Sequence, residues 1–569
     1  MSANPLDIAV IVGYFALMLF VGIWKGRGKQ DTSEHYFFSK GMLPWWVIGM
    51  AYVASGMNAE QLVGQNGVGY RYGLVMVNWY YTIVPVVYSA LIFVFFPIYL
   101  RNNVRTMPEF LGRRFGKGNQ DVFAALLLLS YVFLSLPVVF YGGAKVLQVI
   151  FPLPVPELQL AGFSVNGSLF CWLVVLALVA GIYTTYGGMS SMVYTAVVQF
   201  ALIFISGFII FYRGIIRLPN GWQDVVAADP GGYHLIQPTN HDLIPWHAIL
   251  LTLFGLHLFY SCMNQALVQR GFGARTEWDA RMAIIVAGFA VFLRPFIEIF
   301  PGMIARALAA AGDSSFAMEQ QAVDAVFPVI VNQLVPSGLK GLVLVGILSS
   351  IMSTIAALLN SISTLITFDV YRKWIRPKAA DRELVRVGLV ATLGLMLFSV
   401  LYSPVIEHLG GIFMYFQAAA SYLAVPIATV FLFGIFWRRA TPAASLAILI
   451  IGIPLGVVIG ILLGAIPLAD RFPQFAAFIP ILPQHVIDAY SLDNFFVQAG
   501  ITQIVCSVVL IVVSLFTVPR VDDEALSLMW SRECIRLPKG EPGRPFFESV
   551  GLWWGVFVLF YVVVVAYLW

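Results

Sequence analysis

Fourteen apolar stretches, each long enough to cross a lipid bilayer, constrain the fold of this chain more than any other feature. A hydrocarbon core about 30 Å thick requires roughly 20 apolar residues of α-helix. Of the 569 residues, 60% are hydrophobic and only 11% are charged, which excludes an ordinary water-soluble globule. The sequence therefore predicts an all-α polytopic membrane protein, a single transmembrane domain over 1–569. Its spans lie near 6–24, 44–70, 74–100, 121–149, 167–186, 190–213, 246–268, 282–309, 340–368, 386–407, 410–437, 442–466, 493–518 and 546–569.

Positive charge is concentrated in alternate loops between these stretches. If the first span starts outside, the loops that lie inside hold 25 of the 33 Lys and Arg residues. These loops are 25–40, 101–118, 269–281, 371–386, 436–440 and 519–545. The distribution predicts a cell-membrane protein with both termini outside. The net charge of +4 reflects anchoring in the bilayer and indicates no nucleic-acid partner, and the sequence carries no signal for an oligomeric state.

Loop 519–545 is polar and carries neighbouring acidic and basic residues. We interpret it as an ordinary solvated connector.

The stretch 341–368 carries hydroxyl side chains within otherwise apolar sequence. Ser350, Ser353 and Thr354 share one face of a helix because they are three and four residues apart, and Ser349 lies beside them. Hydroxyl and carbonyl oxygens at this depth suit a small hard cation such as sodium. The alternative is that these side chains bond backbone carbonyls or let neighbouring helices pack closely.

Two predicted spans carry glycine and polar residues in their middle. The first contains Gly56 and Asn58, and the second contains Gly255, His257 and Asn264. An interrupted helix releases backbone amides and carbonyls, which is tolerated at membrane depth only where the backbone lines a protein-enclosed cavity. Two such spans, five helices apart, predict two repeats of inverted topology with ion and solute bound at their interface. Kinked helices packed through small residues are the alternative.

Four motifs between about residues 30 and 440 carry a resemblance to a known family. They are Ser55–Gly69 with Ala59-Glu60-Gln61, Thr106–Leu111 with Arg114-Phe115, Tyr186–Ser190 with Gln199, and Leu359-Asn360-Ser361 with Asp369 and Tyr371. The chain resembles the solute:sodium symporter family, nearest to its sodium–glucose cotransporter branch. The resemblance implies sodium-coupled uptake by alternating access through a LeuT-type inverted-repeat core of ten helices. This core covers about 44–437, with extra helices at about 6–24, 442–466, 493–518 and 546–569.

The resemblance also implies an ion site. The family's main sodium site falls on the backbone carbonyls of Ala54, Met57 and Ser350 and on the hydroxyls of Ser353 and Thr354. Na+ is the only metal ion expected. The three hydroxyl residues are those that the helical spacing singles out.

The expected solute contacts match the family only in part. The positions that hold a glutamate, an asparagine, a lysine and a second glutamine in the bacterial galactose transporter of this branch read Tyr80, His257, Val291 and Ala420. These replacements argue against galactose-like recognition, because each buried unpaired polar group of a sugar costs about 1–3 kcal/mol. By resemblance, Trp79 and Phe416 match an outer aromatic gate, Tyr260 an inner gate and Gln61 a sugar-contacting glutamine. The solute pocket is predicted to include Gln61, Trp79, Tyr80, His257, Tyr260 and Phe416.

One further departure concerns the ion. The aspartate that is common in the family three residues before the position of Gln199 is Ala196 here. A carboxylate beside the ion pathway would offer a second sodium site, since a negative charge at low dielectric attracts a cation strongly. Ala196 therefore predicts a single coupled sodium ion.

Charged residues within predicted spans are candidates for function. Arg294 and Glu298, four residues apart, are interpreted as a structural ion pair, with a place on the solute path as the alternative. Lys145 is interpreted as snorkelling to the membrane interface, and if it points inward it favours an anionic substrate. His257 is equally consistent with a satisfied core histidine and with a substrate contact.

These observations predict a secondary transporter that uses the sodium gradient to import a small polar organic solute, with a sugar or polyol as the first candidate. A small carboxylate is the second candidate, and a non-transporting solute sensor is a further class. An enzyme is not expected, because the sequence has no His-Glu-x-x-His zinc motif, no Gly-x-Ser-x-Gly elbow in a suitable context and no cofactor loop.

Overall fold

Helices form most of the chain, and each of the fourteen predicted stretches is largely helical. A computed structural model describes residues 5–26, 37, 41–58, 60–160, 163–318, 326–336, 338–409, 412–463, 481–538, 541 and 544–568. The α-helices up to residue 310 are α1 (Pro5–Gly26), α2 (Trp45–Gly56), α3 (Gln65–Tyr72), α4 (Val84–Ala90), α5 (Phe96–Arg101), α6 (Met107–Phe115), α7 (Lys117–Leu129), α8 (Leu136–Ile150), α9 (Gly167–Ile215), α10 (Trp222–Ala228), α11 (Trp246–Thr252), α12 (Gln265–Val268), α13 (Glu277–Val291), α14 (Pro295–Glu298) and α15 (Phe300–Ala310).

The remaining α-helices follow in the last part of the chain. They are α16 (Val326–Leu334), α17 (Lys340–Leu365), α18 (Asp381–Tyr402), α19 (Ile412–Phe436), α20 (Pro442–Leu462), α21 (Gln484–Tyr490), α22 (Phe495–Phe516), α23 (Asp523–Ser527) and α24 (Val550–Leu568). A small antiparallel hairpin, β1 (Leu158–Leu160) and β2 (Phe163–Val165), lies between α8 and α9.

Within the described residues, ten helical segments are long and apolar enough to cross a membrane. They are Gln61–Arg101, Lys117–Gln148, Met192–Ile215, Trp246–Met263, Lys340–Ile375, Asp381–Ile406, Ala419–Phe436, Pro442–Leu462, Phe495–Phe516 and Val550–Leu568. Shorter apolar helices at Pro5–Met18, Gly167–Gly181 and Phe300–Ala310 coincide with three further predicted spans.

Both predicted interruptions are confirmed. Helix α2 ends at Gly56, and Met57 is extended, with φ −102° and ψ 114°. In the second span, two π-helical turns lead to Asn264, which is also extended, with φ −76° and ψ 112°. An asparagine side chain caps the helix that follows each break: Asn58 accepts from the Gln61 amide at 2.9 Å, and Asn264 accepts from the Ala266 amide at 3.0 Å.

A third interruption was not predicted. Helix α13 ends at Val291, α14 begins at Pro295, and α15 begins one residue after Ile299, which has φ −129° and ψ −53°. Proline removes a backbone donor and clashes with the preceding turn, so Pro295 and Pro301 each begin a new helical segment.

Helix α9 also differs from expectation. The sequence predicts two spans, 167–186 and 190–213, and the helical backbone runs through both without a break. The side chains of the Tyr186–Ser190 motif lie outside the described residues.

The long helices α9 and α17 form the centre of the packing, with α1, α2 and α8 beside them. Helix α1 fixes the start of α17, because both carboxylate oxygens of the buried Asp7 accept from backbone amides, those of Gly338 at 3.3 Å and Gly341 at 2.6 Å. Position 341 requires glycine, since a Cβ atom there would lie 2.6 Å from the Asp7 Cα. This arrangement sets the position of the hydroxyl residues on α17 relative to the break after α2.

The interpretation of 519–545 as a solvated connector is wrong for its described part. Residues 519–538, which we call the C-terminal strap, bury Ala525, Leu528 and Cys534. Buried arginines hold its backbone: Arg114 donates to the Arg520 carbonyl at 3.1 Å, and Arg281 donates to the Cys534 carbonyl at 2.7 Å. The polar composition of the strap reflects its many exposed side chains, while its carbonyls point into the protein.

Candidate ion and solute site

The hydroxyl face of α17 meets the carbonyls that are released where α2 ends. The last four carbonyls of an α-helix lack partners within the helix. Ser350 donates to the Met57 carbonyl at 2.5 Å. Thr354 lies within hydrogen-bonding distance of the carbonyls of Met57 at 3.1 Å and Ser55 at 3.2 Å, as well as that of Ser350 at 3.2 Å. Side-chain and backbone oxygens therefore converge at the break.

Ser353 contacts the same turn through a side chain. Its hydroxyl lies 3.1 Å from the hydroxyl of Ser55, which donates its own proton to the Ala51 carbonyl at 2.8 Å. Because Ser55 has only one proton to give, Ser353 is the donor in this pair. Ser350, Ser353 and Thr354 are all buried.

Ala54 lies in the same last turn and is fully buried. Within the described contacts, however, the hydroxyls on α17 bond the carbonyls of Ser55 and Met57 and not that of Ala54. The carbonyl of Ala54 is one of the four without an intrahelical partner by position. The structure thus brings four of the five expected ion-site residues into direct hydrogen-bonding range of the break and places the fifth beside them.

A cavity of about 180 Å³ adjoins this oxygen cluster. It is bordered by both helix breaks, through Gly56 and Asn58 on one side and Asn264 on the other. Thr354 belongs to its wall as well as to the oxygen cluster. All six residues predicted to contact solute line this cavity: Gln61, Trp79, Tyr80, His257, Tyr260 and Phe416.

Aromatic rings form much of the cavity wall. The Trp79 ring meets His257 edge to face, with centroids 5.0 Å apart. Tyr80 also lines the cavity, but its hydroxyl lies 2.6 Å from Gln65 Oε1 and 2.5 Å from Glu298 Oε2. Tyr80 therefore presents its ring rather than its hydroxyl to the cavity.

The imidazole ring of His257 packs in the cavity wall, but its Nε2 atom makes no hydrogen bond to the described residues. This nitrogen is buried. The position of His257 in the cavity wall, against Trp79, favours a solute-site role over that of a satisfied core histidine.

Arg294 is the charged side chain of the cavity wall. It pairs with the fully buried Glu298 at 2.9 Å and lies over the Tyr80 ring, 4.7 Å from the centroid. Its Nη2 atom also donates to the Gly56 carbonyl at 2.9 Å and to Gln61 Oε1. Among the residues that the structure describes, none of these bonds uses the Nη1 atom of Arg294.

The cavity is electrically balanced. Arg294 and Glu298 neutralise each other, and Lys145, which motivated the anionic alternative, is not among the lining residues. Val291 and Ala420, two of the replaced sugar positions, are also buried away from the lining.

The sequence did not single out Ser55 as an ion-site residue, and it gave Arg294 a place on the solute path only as the alternative to a structural ion pair. Ser55 supplies both a carbonyl and a hydroxyl to the oxygen cluster, and Arg294 links the helix break to the cavity wall. The Arg294-Pro295 dipeptide could have indicated the role of Arg294, because a charged residue at membrane depth directly before a proline marks an interrupted helix.

The chain is similar to known proteins in sequence and in fold. The Sodium:solute symporter family matches residues 36–452. A sodium/glucose cotransporter of Vibrio parahaemolyticus is 30% identical over 490 residues, covering 82% of this chain and 87% of the relative. A sodium/myo-inositol cotransporter 2 of Mus musculus is 31% identical over 492 residues, covering 80% of this chain and 70% of the relative.

A solved structure shares the fold. It is the substrate-bound outward-open state of a Na+-coupled sialic acid symporter, which superposes with a TM-score of 0.74 at 17% identity and covers 91% of this chain and 99% of its own. This chain therefore shares a LeuT-like fold. These relatives are cotransporters and not enzymes, and sodium is the coupling ion of the family. The chain belongs to the sodium:solute symporter family.

Proposed function

We propose that this protein imports a small, neutral, polyhydroxylated solute, a sugar or polyol, together with sodium. One observation carries the proposal: Thr354 bonds the carbonyls released at the first helix break and also lines the cavity. An ion held at the break and a solute held in the cavity would share this residue. Occupation of one site can therefore favour occupation of the other through differential contacts.

The proposed sodium ligands are the carbonyls of Ala54, Met57 and Ser350 and the hydroxyls of Ser353 and Thr354. Their oxygens suit a hard cation, and the burial of the cluster excludes competing bulk water. When sodium binds, the hydroxyl-to-carbonyl hydrogen bonds would be replaced by ion–oxygen contacts. The ligands come from two segments, 54–57 and 350–354, that are already in contact through hydrogen bonds.

The proposed solute contacts are Gln61, Trp79, Tyr80, His257, Tyr260 and Phe416, with Arg294 added. The volume of about 180 Å³ is below the roughly 300–1,000 Å³ of drug-sized sites, which favours a monosaccharide-sized solute. Aromatic faces suit the C–H faces of such a molecule, while Gln61 and Arg294 supply polar contacts. The similarity to cotransporters named for glucose and myo-inositol supports the same class.

The balanced charge favours a neutral solute over a carboxylate. An anion would have to compete with Glu298 for the guanidinium of Arg294. Lys145 does not line the cavity, so it cannot supply a second positive charge for the anion. A buried charge without a partner is costly.

We further propose fourteen membrane spans with both termini outside, around a ten-helix inverted-repeat core at about 44–437. The two asparagine-capped breaks, one in each proposed repeat, support this organisation. The fully buried Ala196 leaves the neighbouring helix without a carboxylate, which supports a single coupled sodium ion. A Hill coefficient near one for sodium is expected in uptake assays, and a measured coupling of two ions per solute would contradict it.

The test of the proposed function is uptake into proteoliposomes from a panel of labelled hexoses, inositols and small carboxylates. An inward sodium gradient should drive accumulation of a neutral polyol or sugar, and an equal potassium gradient should not. Sodium-driven accumulation of carboxylates alone would overturn the assignment of the solute class. Binding of a solute without any accumulation would identify a sensor instead of a transporter.

A further inference from the structure

A second cavity, of about 780 Å³, shares no lining residue with the solute cavity and lies where the starts of α2 and α24 meet α13. We call it the interfacial crevice. Its lining includes residues from two loops that the charge distribution predicts to be inside, 269–281 and 519–545. The proposed transport function uses none of its residues.

The mouth of the crevice carries two arginines and two carboxylates. Arg544 pairs with Glu548 at 3.1 Å. Asp279 accepts from the Trp45 amide at 3.1 Å and from the Thr276 hydroxyl at 2.8 Å. Arg275 is exposed and has no side-chain hydrogen bond or ion pair within the part of the chain that the structure describes. Among the described lining residues the charges balance, and the one charged side chain with neither an ion pair nor a hydrogen bond is the cation Arg275.

The wall of the crevice becomes apolar along α13. Ile285 and Val286 lie three and four residues after Met282, and Phe289 lies four and three residues after them, so the four side chains share one face of the helix. This stripe covers about 10 Å of helix, at about 1.5 Å per residue. The crevice therefore changes from polar to apolar along the direction in which α13 enters the membrane.

Tryptophan side chains surround the change from polar to apolar lining. Trp278 is buried beneath the guanidinium of Arg544, which lies 3.8 Å from its ring centroid, while Trp46 and Trp553 are 41% and 39% exposed. Tryptophan is enriched at the level of lipid head groups. Exposed indole faces also attract ammonium groups.

We infer that the interfacial crevice binds a zwitterionic phospholipid. Its phosphate would lie on Arg275, its ammonium near Glu548 and the exposed indole faces, and the start of an acyl chain along the apolar stripe of α13. A zwitterion keeps the mouth neutral, whereas an anionic head group would leave a net negative charge among two arginines and two carboxylates. The graded lining requires an amphiphile, which distinguishes the occupant from free phosphate.

The test is thermal unfolding of the purified, delipidated full-length protein in detergent with four additions: phosphatidylethanolamine, phosphatidylglycerol, glycerophosphoethanolamine and inorganic phosphate. Phosphatidylethanolamine should raise the unfolding midpoint by about 3 °C or more through linkage, with smaller shifts for the other three. Arg275→Gln and Trp46→Ala should each reduce that shift by at least half. Native mass spectrometry should show one retained phosphatidylethanolamine in the parent and its loss in Arg275→Gln.

Matched controls are Arg382→Gln and Trp374→Ala, which change an exposed arginine and an exposed tryptophan outside the crevice. Both should keep the parent shift. An equal or larger shift with phosphatidylglycerol would overturn the zwitterionic assignment. An equal shift with phosphate or with the free head group would overturn the lipid assignment, and an unchanged phosphatidylethanolamine shift in Arg275→Gln and Trp46→Ala would overturn the site.

Discussion

Two arginine–glutamate pairs, each four residues apart, lie buried in different regions of this protein and contact different kinds of partner. Arg281 pairs with Glu277 and donates to the carbonyls of Cys534 and Ile535 in the C-terminal strap. Arg294 pairs with Glu298 and donates to the carbonyl at the first helix break. The first pair fastens one segment to another, and the second adjoins an ion cluster and a cavity.

The difference shows how to distinguish a structural charge from a functional one at similar burial. Both Nη atoms of Arg281 bond strap carbonyls, and its buried Nε atom, which has no partner among the described residues, lines neither cavity. Arg294 lines the cavity, its Nη1 atom has no hydrogen bond to the described part of the chain, and its Nη2 atom contacts Gln61, which is itself a proposed solute contact. Both pairs are buried, so burial does not distinguish them. The hydrogen-bond partners of the two arginines do.

The largest effect is expected at the ion cluster. The double variant Ser353→Ala and Thr354→Ala removes two proposed oxygen ligands, each worth about 1.5–3 kcal/mol as a contact to a charge. Half-saturation for sodium should therefore rise by about 100-fold or more, which abolishes uptake at ordinary sodium concentrations. Thr392→Ala is the matched control, because Thr392 is a buried threonine that bonds the carbonyl four residues earlier, away from the cluster. Unchanged sodium dependence in the double variant would refute the ion site.

The next effect is expected at the cavity arginine. Arg294→Lys keeps a positive charge beside Glu298 but cannot reproduce the forked contacts to Gly56 and Gln61. We expect the KM for solute to rise about tenfold, equivalent to the loss of about one charged hydrogen bond, with expression retained. The KM is measured from initial rates of uptake over a range of solute concentrations at saturating sodium. A KM within twofold of the parent would place Arg294 with the structural pairs.

At the contact between Arg281 and the C-terminal strap, we expect a loss of stability without a change in solute affinity. Arg281→Lys loses bonds to several strap carbonyls, and stability should fall by about 2–3 kcal/mol. The unfolding midpoint should drop by several degrees while the KM for solute stays within twofold, as scanning fluorimetry and uptake would show. A tenfold change in KM with an unchanged midpoint would reverse the roles assigned to the two pairs.

The smallest effect is expected at His257. Phenylalanine preserves the edge-to-face contact with Trp79 and removes an Nε2 atom that has no partner among the described residues. We therefore expect His257→Phe to change the KM for solute less than about threefold, because no formed hydrogen bond is lost. Trp79→Ala provides the contrast, since it removes the ring that His257 supports. A loss of uptake in His257→Phe would show that a histidine nitrogen binds solute directly.

Sequence patterns predicted the parts of this molecule whose chemistry is local. The spacing of Ser350, Ser353 and Thr354 indicated a shared face, and Gly56 with Asn58 indicated the break that these residues meet. The role of Arg294 depends on the unpredicted break before Pro295, which brings a side chain of one span to the interruption of another. The strap was misread for a related reason: its partners, Arg114 and Arg281, lie hundreds of residues away.

The central claim is that the Arg294 pair belongs to the solute site and the Arg281 pair to the scaffold. Equilibrium binding of the labelled solute to purified parent, Arg294→Lys and Arg281→Lys proteins, in sodium and in potassium, tests it most directly. We predict sodium-dependent binding in the parent, the same Kd within twofold in Arg281→Lys, and a Kd about tenfold weaker in Arg294→Lys. Equal Kd values in the two variants, or parent binding that is as tight in potassium as in sodium, would contradict the account.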